Sequence, residues 1–186
     1  MAEGMNRSIT MKECLDRKTI ILGDINSGKT GLTRSILEES LRAGYGSITV
    51  IDMAPERQGN VGGKLALPTG RSIDRTLRIL TTTIDAPRLM GRNDDEIEAL
   101  AAGNAGRIEQ LFQVFLADPA SILFINDVSL YLQGGSPERL REVMDGASTV
   151  VINGYFGHGL GDSAFSRRER ERMELLMAAC DRVIRL

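Results

Sequence analysis

Apolar residues along this chain follow two rhythms. Short unbroken runs rich in Ile, Val and Leu alternate with longer stretches in which apolar positions recur every three or four residues. The first rhythm predicts strands buried on both faces, the second amphipathic helices. KTIILG (18–23) is the first run and stops at glycine. From Lys29 the spacing changes to Leu32, Ile36, Leu37 and Leu41, one helix face closed by Gly44 and Gly46. SITVIDMAPE (47–56) predicts a second strand ending in acids and proline, and Gly59, Gly62, Gly63, Pro68 and Gly70 predict a long mobile loop after it. LRILTTTID (77–85) is the third strand. Asn93 with Glu96 forms a capping box for a long helix carried by Ile97, Leu100, Ala101, Ile108, Leu111, Phe112 and Phe115.

SILFINDVSLYL (121–132) reads as one central parallel strand, and Ser136 with Pro137 begins a short helix. STVVINGY (148–155) is another buried strand, feeding the glycine-rich FGHGLGDSAF (156–165). Ser166 with Glu169 predicts a capping box for a helix through Leu175, Leu176 and Ala179, and DRVIRL (181–186) closes the chain as a strand. Strands alternating with helices predict an α/β fold, a three-layer sandwich around a mainly parallel sheet of five to six strands. Residues 1–17 read as a polar lead and 18–186 as a single domain. Ligands of parallel sheets bind at the carboxyl ends of the strands, which directs attention to 23–30, 52–56, 85–88, 126–129 and 153–165.

Composition narrows the class of partner more than the fold. At 186 residues the chain can bury a core without disulfides, and 42% hydrophobic with 26% charged residues is ordinary for a globular protein. Twenty-three basic against twenty-five acidic residues leave a charge of -2, so the overall field does not advertise a nucleic acid or an anionic membrane. MAEGMNRSITMKECLDR (1–17) lacks the apolar centre of a signal peptide, and no run reaches the about 18 apolar residues of a spanning helix. Cys14 and Cys180 form no CxxC pair and read as free thiols of a reducing cytoplasm, which is the expected location.

The chemistry starts at GDINSGKT, which fits G-x-x-x-x-G-K-[ST], a loop that cradles phosphates. Glycines let successive backbone N–H groups face an anion, and the following helix adds its positive end. Gly23, Asp24, Ile25, Asn26, Ser27, Gly28, Lys29, Thr30 and Gly31 are therefore the expected nucleotide-binding residues. Lys29 would reach the β and γ phosphates, and Thr30 would place its hydroxyl on Mg2+. LFIND (123–127) fits the Walker B pattern and makes Asp127 the second expected metal ligand, with Asn126 as a further polar contact or a strand-edge amide. Val128 and Ser129 follow where many triphosphatases carry a water-orienting glutamate. Glu56 is the expected substitute, with Asp52 and Asp85 behind it.

Arg88 and the cluster Arg167, Arg168, Arg170 and Arg172 could supply positive charge, the cluster across a subunit interface of a homo-oligomer. Glu169, Glu171 and Glu174 at helical spacing make a solvated, ion-paired face the simpler reading of the cluster. His158, the one histidine, reads as a surface residue, and Met173, Leu176 and Met177 as core.

From about Lys18 to Leu186 the order of elements resembles the RecA-like ATPase superfamily. The resemblance implies that VIDMAPE carries a catalytic glutamate in Glu56, that ILFINDVSLYL is the Walker B strand, and that Asn153 in VVINGY senses the γ phosphate. The carboxyl half, from LFINDVSLYLQGGSPERLREVM to RMELLMAACDRVIRL, also looks like P-loop ATP:corrinoid adenosyltransferases. It departs from them in a phosphate loop poorer in glycine and lysine and in Val128 after the acid. The leading expectation is a Mg2+-dependent ATP-binding protein, an ATPase that couples hydrolysis to a conformational step, with Lys29, Glu56, Asp127 and Asn153 as its catalytic set. ATP is preferred over GTP because no N-K-x-D guanine-reading motif is present. The alternatives are an ATP-dependent transferase acting on a small-molecule acceptor and a nucleotide-gated binding module. The acidic balance disfavours nucleic acid for the latter, although Tyr155 and Phe156 could stack bases.

Overall fold

The computed structural model describes residues 9–56, 63–65, 76–157, 159 and 161–186. Most of the expected glycine loop, at 57–62 and 66–75, lies outside them, as do the first eight residues, His158 and Leu160. The strands among the described residues are β1 (Lys18–Gly23), β2 (Ile48–Asp52), β3 (Leu77–Thr81), β4 (Ile122–Asn126), β5 (Thr149–Tyr155) and β6 (Arg182–Arg185). They form one sheet ordered β3-β2-β4-β5-β1-β6 in which every pair is parallel. The helices are α1 (Met11–Cys14), α2 (Lys29–Ala43), α3 (Pro87–Met90), α4 (Asp94–Ala117), α5 (Ser129–Leu132), α6 (Pro137–Asp145) and α7 (Ala164–Ala178).

Successive strand residues point to opposite faces, so each run divides itself between two cores. Ile20, Leu22, Ile51, Leu123, Ile125, Val150 and Ile152 face α4 to α7, where they meet Ile108, Phe112, Phe115, Tyr131 and Met173. Ile21, Val50, Phe124 and Val151 face the other way, against Met11 and Cys14 of α1 and Ile36 and Leu37 of α2. This is the three-layer α/β sandwich that the alternating pattern predicts, with six parallel strands. Each fully buried Ile, Leu or Phe contributes about 1.5–3 kcal/mol, so the strand runs and the helix faces that cover them both contribute to stability. No helix of the described residues is long and apolar enough to cross a membrane.

Two local readings differ from the pattern. SILFINDVSLYL is not one strand: β4 ends at Asn126 and Asp127 adopts a φ of 61°, which turns the chain out of the sheet and into α5. Apolar character alone cannot locate that turn, because α5 is as buried as the strand. The last helix begins before the expected cap. Ser163 is its N-cap and accepts the Ser166 amide at 3.1 Å, which releases Glu169 to point inward.

After α5 the chain passes under α4 at Gly134. A Cβ there would stand 2.5 Å from the Ala101 carbonyl oxygen, a backbone atom that cannot yield. Gly134→Ala is therefore expected to lower stability by about 1–3 kcal/mol through overpacking, read as a fall in Tm. An unchanged Tm would show that α4 can shift away.

Candidate functional site

The carboxyl ends of β1, β2, β4 and β5 open onto one cavity of about 600 Å3, within the range of small-ligand sites. Its walls come from residues 25–31, 54–56, 63–64, 86–89, 126–127, 129–130, 133, 153, 155 and 169.

The 23–30 loop closes by local bonds that its sequence supplies. Ser27 N–H donates to the Asp24 carbonyl at 3.3 Å, Ile25 N–H to Asp24 Oδ1 at 2.7 Å, and Asn26 and Gly28 take φ values of 59° and 95°. Gly28 at this left-handed position precedes α2, and a side chain there would be strained. Lys29 Nζ lies over the loop, donating to the Asp24 carbonyl at 2.5 Å and to Ser27 Oγ at 3.3 Å. Burial pulls its pKa down, while Asp127 and Asp24 oppose that and favour the cation. Asp24 itself is held from the far side by the glycine turn after β5. Gly159 N–H donates to Asp24 Oδ2 at 3.3 Å, and a Cβ on Gly157 would come within 2.7 Å of that carboxylate.

Beside the loop, three strand tips carry polar side chains in register. Asp52 pairs with Asn126 across β2 and β4, and Asn153 stands on the neighbouring β5. All three are buried, and they form one chain of hydrogen bonds. Asn126 Nδ2 donates to Asp52 Oδ1 at 2.9 Å; Asn153 Nδ2 donates to Asn126 Oδ1 at 3.0 Å and to Thr33 Oγ1 at 2.8 Å. Thr33 in turn donates to the Lys29 carbonyl at 2.9 Å, so the chain ends on the first turn of α2. Asn153 Oδ1 also accepts the Asp127 N–H at 3.0 Å, which stabilises the left-handed turn at that acid.

The Asp127 carboxyl accepts the Ser129 hydroxyl, and Ser129 Oγ accepts the Tyr155 N–H at 3.2 Å. Enclosure pushes the Asp127 carboxyl up; the Ser129 hydrogen bond and the Lys29 charge hold it down. Val128, which follows this acid in place of a glutamate, is wholly buried in the core.

A second pair of charges shares the cavity. Arg88 on α3 donates to Glu169 Oε2 at 2.7 Å and to Ser166 Oγ at 3.3 Å, and its guanidinium lies 5.0 Å from the Phe165 ring centre. Glu169 is only 4% exposed, and burial raises its pKa against the lowering effect of Arg88. It lies on the buried stripe Phe165, Glu169, Met173, Leu176 of α7. An acid on an apolar helical stripe was the signal that sequence reading passed over in favour of a solvated face.

The expected site residues are thus distributed as follows. Ile25 through Gly31, Glu56, Asp127 and Asn153 line the cavity, whereas Gly23 and Asp24 do not. The Glu56 side chain is 82% exposed and pairs with Lys64 at 3.0 Å. Asp52 accepts the Ala54 and Leu65 amides as well as Asn126, and Asp85 is engaged by Arg107 and Asn104. Arg167 and Arg168 pair with Asp162 and Glu98, and Arg172 donates to the carbonyls of Leu132 and Gln133, so these three are tied to structure.

No protein-family model and no curated protein matches the chain. Among solved structures it is similar to flagellar accessory protein FlaH from Methanocaldococcus jannaschii, at 12% identity and a TM-score of 0.49, over 92% of this chain and 71% of that one.

Proposed function

We propose that the chain binds a magnesium nucleoside triphosphate, ATP in the first place, and turns it over at the terminal phosphate. The observation that carries this reading is the convergence of the 25–31 segment, Lys29 and Asp127 on a single cavity at the strand tips. The loop amides and the amino end of α2 take the phosphate oxygens, and Lys29 leaves the Asp24 carbonyl to contact them. Hard oxygen donors from Thr30 and Asp127 suit Mg2+, which would balance the enclosed Asp127 carboxylate and offset phosphate charge when bound. Arg88 supplies a second cation that acts on Asp127 across the cavity. Asn153 acts here as a positioning residue and not as a direct sensor of the γ phosphate, since its amide is committed to Asp127, Asn126 and Thr33 and joins the metal acid to the first turn of α2. Glu56 stands at the rim as one candidate for orienting the nucleophile.

Calorimetric titration with MgATP and with a non-hydrolysable analogue tests the reading. The expected result is saturable binding in the micromolar range that disappears when Mg2+ is chelated. No saturable heat at millimolar nucleotide would sink it.

A further inference from the structure

Glu169 Oε2 is committed to Arg88, yet Glu169 Oε1 is buried and accepts no hydrogen bond from any described residue. The Gln133 side chain lies against the same carboxyl and favours its charged form through its amide N–H, while Gln133 Oε1 is buried without a described partner. Both residues line the cavity that holds Lys29 and Asp127. Two orphaned acceptors on one wall call for a ligand that brings hydrogen-bond donors, because a buried acceptor left unpaired costs stability. The other carboxylates of the region are less suited to receive a proton. Glu56 is mostly solvent-exposed and paired with Lys64, Asp52 has three donors, Asp85 holds Arg107, and Asp127 takes the Ser129 hydroxyl.

We propose that Glu169 Oε1 binds the O–H of the attacking nucleophile, water or a small alcohol, and is the general base of the reaction. The proposal rests on the triphosphate reading above. The nucleophile oxygen bonds to the terminal phosphorus while its proton passes to Glu169 Oε1. The bond from that phosphorus to the β–γ bridging oxygen breaks, and the nucleoside diphosphate leaves with the electron pair. Free phosphate results from water, a phosphate ester from an alcohol. Burial suits Glu169 to the task, since a carboxyl raised from its ordinary value accepts a proton more readily near neutral pH. The charged groups acting on it are Arg88, which holds the carboxylate in place, and Asp127.

The experiment compares the wild-type chain with Glu169→Gln, Glu169→Asp and Glu56→Gln. MgATP binding is read by calorimetry, and turnover is read in water alone and with glycerol or ethanolamine, products being identified by mass. Glu169→Gln is expected to bind MgATP with unchanged affinity and to turn it over about 100-fold more slowly. The wild-type rate should rise with pH through a limb above the usual glutamate range; this limb vanishes in the Gln variant and is displaced in the Asp variant. Should the Gln variant fail to fold, a slowed Asp variant with intact binding supports the same assignment. Free phosphate without an acceptor identifies water as nucleophile, and phosphorylated glycerol or ethanolamine an alcohol. Undiminished turnover in Glu169→Gln, or loss confined to Glu56→Gln, overturns the proposal and leaves the triphosphate reading standing, whereas wild-type binding without turnover overturns the proposal and leaves only the binding half of that reading. Absence of wild-type binding takes down both.

Discussion

Replacing Lys29 by alanine is expected to weaken MgATP binding by about 4 kcal/mol, roughly a thousandfold. The ammonium is positioned over the loop by the Asp24 carbonyl at 2.5 Å and Ser27 Oγ at 3.3 Å, so little ordering is left to be done when a phosphate replaces them. Burial weakens its hold on the proton, but Asp127 and Asp24 favour the charged form, and an incoming phosphate adds to their effect. Alanine keeps the loop amides and the amino end of α2 but removes the one cation of the loop, leaving Mg2+ and the more distant Arg88 to offset the phosphate charge that faces Asp127. Folding stability should change by less than about 1 kcal/mol, because removing Lys29 also removes the cost of desolvating it. The pairing of those two results separates a binding role from a structural one. Calorimetry on the variant checks the first and thermal unfolding the second; an affinity equal to wild type removes Lys29 and the loop from the site.

The strands were legible in the sequence because a parallel sheet buried on both faces demands unbroken apolar runs, and KTIILG coincides with β1 from end to end. The phosphate-type loop was legible because its geometry depends on local residues, Gly28 above all. What escaped depends on contacts between distant segments. Nothing in LFINDVSLYL marks the chain reversal at Asp127; it is fixed by Asn153, 26 residues away, accepting the Asp127 N–H. Glu169 read as one charge among many on a polar helix although its spacing to Met173 and Leu176 puts it on the apolar stripe, and what the sequence could not show is that Arg88, 81 residues away, meets it there. Glu56 was found from its place at a strand end, but its exposure and its partner Lys64 follow from the path of the segment after β2, which the sequence leaves open.

Asn153→Leu is expected to cost about 4 kcal/mol of stability, the sum of several buried polar groups losing partners at about 1–3 kcal/mol each. Asn153 uses its whole amide: Oδ1 takes the Asp127 N–H, and the two Nδ2 hydrogens go to Thr33 Oγ1 and Asn126 Oδ1. Leucine of similar volume leaves all three without that bond in a wall where Asn126 is 1% and Thr33 0% exposed, so water cannot readily replace it. For a chain of this length the loss corresponds to a fall in Tm of roughly 8–16 °C. Asn153→Asp separates the parts of the network. It can still accept from Asp127 but cannot donate when ionised, and it places a further acid close to Asp127, so it should be at least as damaging at neutral pH and should recover as the pH falls and the new carboxyl protonates. A double-mutant cycle with Thr33→Val should show a coupling energy of about 1 kcal/mol or more, because the two side chains share one hydrogen bond. The functional consequence follows from the same geometry: with the Asp127 turn released and α2 uncoupled from β5, triphosphate affinity should fall even at temperatures where the variant is folded. A Tm within about 2 °C of wild type would mean that the strand-tip chain contributes less than 1 kcal/mol, and the positioning role of Asn153 would fall with it.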